Sequence, residues 1–89
     1  MTPDELDNAK ANLSSLIDWR KALEAEMASM LRVTRFMPAD LAAQIQTAAA
    51  LIEQAIDELG AAAAPLAEAI NTAECRAEAA HERAERSRL

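Results

Sequence analysis

Glu78-Ala79-Ala80-His81 is the one stretch whose residue types and spacing suggest metal chemistry. A glutamate three residues before a histidine puts carboxylate and imidazole on one helical face, the unit that holds metal in di-iron helical bundles. Glu74, Cys75 and Glu82 stand close by in sequence. Such a centre also needs carboxylates from facing helices inside a packed core. The residues around His81 are alanine, glutamate and arginine, with nothing large to bury, so the expectation is no metal and no cofactor. His81 and Cys75, the only histidine and the only cysteine, are six residues apart on different faces of a helix. Neither has the base or orienting group that nucleophilic catalysis requires. Ser14, Ser15 and Ser29 lack partners of that kind, and a chain with one glycine has no glycine-rich phosphate loop. The sequence reads as non-enzymatic.

Recognition chemistry is better represented. Trp19 and Arg20 are adjacent, and tryptophan and arginine are enriched where protein interfaces concentrate their energy. Leu23, Met27, Met30 and Phe36 follow along the same helical pattern, and methionine supplies an adaptable apolar surface. Trp19, Arg20, Leu23, Met27, Met30 and Phe36 are therefore the candidate partner-binding residues. Trp19 also fits a second role, covering the edge of a helical seam, and the methionines fit ordinary core positions.

The elements that must position these residues are helical. Alanine dominates a composition that is 52% hydrophobic and only 2% aromatic. That favours thin helix–helix seams and disfavours strands, so the fold class is all-α. Thr2-Pro3-Asp4-Glu5 fits a helix start, with Thr2 as N-cap, Pro3 in the first turn and Glu5 closing a capping box. Two rows with a seven-residue repeat follow: Ala9, Leu16, Leu23, Met30, Met37, and Leu6, Leu13, Arg20, Met27, Thr34. Their alternating spacings of three and four place them on one face, as in a coiled coil. Ile17, Leu31, Trp19 and Val33 widen that face beyond what one seam requires.

Pro38 disfavours helical backbone at Met37 and suits the start of a new helix, so the chain is expected to reverse within Arg35–Asp40. No glycine or asparagine marks this corner. The second helix has one row at Ile45, Ile52, Leu59, Leu66 and an alanine-rich row at Leu41, Ala48, Ala55, Ala62, Ala69. Gly60 and Pro65 are read as a kink because the seven-residue phase runs through them. The expected organisation is an antiparallel hairpin over 1–71, with helices over 3–36 and 38–71, and a polar helical or fraying tail over 72–89.

Charge and size narrow the function classes. The formal net charge is -6, and residues 37–75 carry six acids and no base. An acidic chain repels phosphate backbones, so no nucleic-acid partner is expected. No apolar run approaches the ~20 residues of a membrane span, and the start of the chain lacks signal-peptide features; a cytoplasmic, membrane-free protein is expected. Eighty-nine residues make at most one domain, and small chains often gain stability by oligomerising. The economical arrangement is a homodimer forming a four-helix bundle. The functional expectation is a small adaptor, regulator or inhibitor, of the kind bacteria and phages encode, that occludes a surface of another protein. The alternative is a structural, scaffold or chaperone-like component acting by helical self-association.

Overall fold

The computed structural model describes residues 1–88; Leu89, the one large apolar group of the tail, lies outside the described residues. Two helices and no strand make up the described residues: α1 (Pro3–Val33), a single 3-10 turn (Thr34–Phe36) and α2 (Ala39–Arg88). They form an antiparallel hairpin measuring 75 × 17 × 15 Å, the cross-section of two helices side by side.

Local chemistry fixes both ends of α1 and the reversal that follows it. The Thr2 carbonyl accepts the Leu6 N–H at 2.9 Å, and the Thr2 hydroxyl oxygen accepts the Glu5 N–H at 3.2 Å. The Thr2 hydroxyl in turn donates to the Glu5 carboxylate at 3.1 Å, so Thr2 caps α1 while Glu5 holds the capping hydroxyl and not the Thr2 N–H that a full capping box would use. At its far end, the Thr34 hydroxyl donates to the Leu31 carbonyl at 2.6 Å. The chain then tightens into the 3-10 turn, and Met37 is extended (φ −106°, ψ 152°), as a residue before proline must be. The Pro38 carbonyl accepts the Ala42 N–H at 2.9 Å, opening α2. No residue of the corner has a positive φ. The reversal is built from right-handed and extended backbone alone, which is why it needs neither glycine nor asparagine.

α1 ends three residues short of the expected 36, because Thr34–Phe36 form the 3-10 turn. α2 is much longer than expected. It runs through Gly60 and Pro65 without interruption, and residues 72–88 continue the same helix. Met1 lines one groove with Thr72, Ala73, Arg76 and Ala77, which sets the level at which α1 begins beside α2. The last eleven residues of α2, about 16 Å of helix, project beyond it.

The interior is one thin seam. Among the described residues, Ala9, Ala49, Ile56 and Ile70 are buried, and no large side chain is completely enclosed. On α1, Leu6, Leu13, Leu16, Leu23, Met27 and Met30 are half-buried. On α2, Ile45, Ile52, Leu59 and Leu66 are half-buried, but their companions differ from the expected row. Ala42, Ala49, Ile56, Ala63 and Ile70 turn inward, while Leu41, Ala62 and Ala69 are exposed and Ala48 and Ala55 lie at the margin. Either row is three or four residues from Ile45 and its successors. The one that faces α1 is the one that buries two isoleucines, each worth far more on burial than an alanine.

Candidate interaction surface

The two long edges of the hairpin differ in chemistry. One edge is closed by charge. Lys10 of α1 and Glu74 of α2 form an ion pair across it. Both side chains lean toward their own helix N-termini, and in an antiparallel pair that aims them at each other. The hydrogen bond to Glu74, and then its charge, raise the Lys10 pKa above the ordinary lysine value. Further along, the Arg20 guanidinium lies over Gly60 and pairs with Glu24 at 3.4 Å. Arg20 thus interrupts an apolar row without burying its charge, leaning out to the edge instead.

The other edge is open, with no ion pair across it among the described residues. Trp19 and Val33 lie one residue before the row containing Arg20 and Thr34. Leu41, Ala48, Ala55, Ala62 and Ala69 lie one residue before the inward row of α2. In an antiparallel pair these positions meet along the same edge. Three shallow grooves follow it. At the open end, Met1, Pro65, Ala69 and Thr72 line the first. In the middle, Trp19, Ala22 and Leu23 face Ala55, Glu58 and Leu59. Near the tip, Ser29, Met30 and Val33 face Met37 and Ile45. Trp19 is 59% exposed, Val33 49%, Leu41 48% and Leu51 66%. Along α1 and as far as Thr72 in α2, the acids Glu5, Glu26, Glu58 and Glu68 bring charge to this edge, and Arg76 follows them.

The structure distributes the six candidate residues unequally. Trp19 and Leu23 share the middle groove, and Met30 belongs to the groove near the tip. Met27 is half-buried and lines none of the three grooves described. Arg20 is on the charged edge. Phe36 stands at the tip, 90% exposed. Val33 and Leu41 were not among the sequence candidates, although both belong to the open edge. Val33 is expected from the sequence to widen the α1 face, which fits its place beside Trp19; Leu41 is expected in the seam row of α2 and instead stands exposed at the edge.

The groups considered for chemistry stay apart. His81 pairs with Glu85 at 3.1 Å, one turn along the overhang, and Cys75 is an exposed free thiol. Among the described residues, no three of His, Cys, Asp and Glu gather as metal ligands would. No helix among them is long and apolar enough to cross a membrane. Comparison with protein-family models, with curated proteins and with solved structures finds no match for the chain.

Proposed function

We propose that the protein is a small non-enzymatic protein–protein interaction module, an adaptor, regulator or inhibitor that acts by covering a surface of another protein. One observation carries this reading: the hairpin exposes more surface than a chain of its mass needs to. A compact monomer of 9.6 kDa exposes about 5,100 Å², whereas this chain exposes 6837 Å². Its radius of gyration is 20.9 Å against about 12 Å for a compact domain of this length. A chain with four buried residues among those described and an open apolar edge gains stability by docking that edge.

In this reading the seam is coiled-coil-like, α2 is kinked near Gly60 and Pro65, and the binding surface runs from Trp19 and Leu23 through Met30 to Phe36 at the tip. Met27 supports it from beneath, and Arg20 holds the charged edge away from it. No nucleic acid, membrane or cofactor takes part. Capture from the native cell extract tests the idea. Proteins retained by the native chain and lost by Trp19→Ala or Phe36→Ala, with helical circular dichroism unchanged, support it. Loss of the fold on Trp19→Ala makes Trp19 a structural residue and removes it as an anchor.

The unaccompanied end of α2 favours a second reading, a structural or assembly component whose overhang is covered by neighbouring copies. Sedimentation mass that grows with concentration beyond a tetramer selects that reading over a discrete module.

A further inference from the structure

We infer that the open edge, from Trp19 to the corner, docks a basic amphipathic helix of another protein, which lies along the hairpin as a third helix. This rests on the interaction role proposed above and names the chemistry of the partner.

Charge selects the partner. Between Trp19 and Val33 on the α1 side, and between Leu41 and Glu58 on the α2 side, the charged residues at edge positions are Glu26 and Glu58. Both are exposed, and Glu58 lines the middle groove with Trp19. The ion pairs among the described residues use Glu24, Glu74 and Glu85, so both edge carboxylates are left to an incoming cation. Residues 37–75, which supply the α2 side, hold six acids and no base. Arg76 stands about 27 Å along the helix from Glu58, at the open end, and leaves this stretch acidic. Exposed carboxylates beside an apolar groove favour bases on whatever fills it. A second copy would bring a further net charge of -6, so the charge favours a different protein.

Spacing selects a helix. Leu23 lines the middle groove and Met30 the groove near the tip. They are seven residues apart in α1, about 10.5 Å. That is the distance between residues i and i+7 of a partner helix, whose apolar stripe can then enter both grooves in turn. Ala22 and Ala55 leave room beside Trp19 for a large side chain. Glu26 belongs to the α1 side and Glu58 to the α2 side, so the partner's bases must flank its apolar stripe on both sides. Those requirements together describe a basic amphipathic helix.

The probe that tests this is a synthetic helical peptide without tryptophan, with leucines at i, i+4 and i+7 spacing and lysines on both flanks. Its counterpart replaces every lysine by glutamate. Trp19 is the only tryptophan of the chain, so its fluorescence reports filling of the middle groove. The lysine peptide is expected to shift Trp19 emission to the blue, and the glutamate peptide to bind roughly tenfold or more weakly. Glu26→Gln and Glu58→Gln should each weaken the lysine peptide roughly threefold, and together roughly tenfold, with a shallower salt dependence. Equal affinity for the two peptides, unchanged Trp19 emission with both, or indifference to both substitutions overturns the inference. So does a native mass of twice 9.6 kDa that is halved by Trp19→Ala, which makes a second copy the occupant. Proteins of the native extract held through Trp19, and held equally by the Glu26→Gln, Glu58→Gln double variant, overturn the basic partner and leave the interaction module standing. A native chain that holds no protein and neither peptide overturns both.

Discussion

The Arg20 guanidinium covers Gly60: its Cζ, Nη1 and Nε lie 3.6, 3.7 and 3.8 Å from where a methyl on that glycine would sit. Those are ordinary contact distances, and the Gly60 φ is not positive, so nothing in the backbone demands glycine there. Gly60→Ala is expected to fit beneath Arg20 and to raise helix stability by about 0.5–1 kcal/mol. A thermal melt followed by circular dichroism should shift upward by roughly 3–6 °C. A downward shift would mean that Arg20 needs the space the glycine leaves.

The seam makes a second prediction. Ile56 is 6% exposed and Ile70 7%, whereas Ile17 on the charged edge is 41% exposed. Truncating either buried isoleucine to alanine should cost about 2 kcal/mol or more, through lost burial and the void left behind. Ile17→Ala should cost about 1 kcal/mol or less. Urea denaturation of the three variants checks the order; equal costs would mean that the inward row of α2 is not the one containing Ile56.

That row marks where the sequence stopped being sufficient. The α1 pattern was legible because leucine and methionine alternate with polar residues, leaving one apolar face. In α2 the apolar residue is mostly alanine, and alanine satisfies both candidate rows. Only the bulk of Ile56 and Ile70 separates them, and bulk matters through packing against α1. The corner was legible from Pro38, but its geometry was not, because a 3-10 turn followed by extended Met37 leaves no residue signature. The continuity of α2 beyond Asn71 reflects propensity without burial: alanine, glutamate and arginine favour a helix that nothing covers. The open edge was only half legible. Trp19 stands out by type and Val33 by its place on the widened face of α1, while Leu41, expected in the seam, shows its place only once the inward row of α2 is known.

The Lys10–Glu74 pair predicts a pH dependence. The folded-state pKa of Lys10 is raised above its unfolded value near 10.5. The pair's contribution is therefore fully present below pH 10.5 and is lost as pH rises through the raised value. The melting temperature of the native chain should fall more steeply than that of Lys10→Met above pH 10.5, and the two should converge at high pH. Because the pair is exposed, the difference should be small and should shrink with added salt. Parallel melting curves across that range would show that the ion pair contributes nothing to the closed edge.

The central claim is that the open edge docks onto another protein, and it is tested most directly by capture from the native cell extract. Proteins retained by the native chain and lost by Trp19→Ala, with the helical circular-dichroism signal unchanged, are the predicted result. A native chain that retains nothing beyond what Trp19→Ala retains would contradict it.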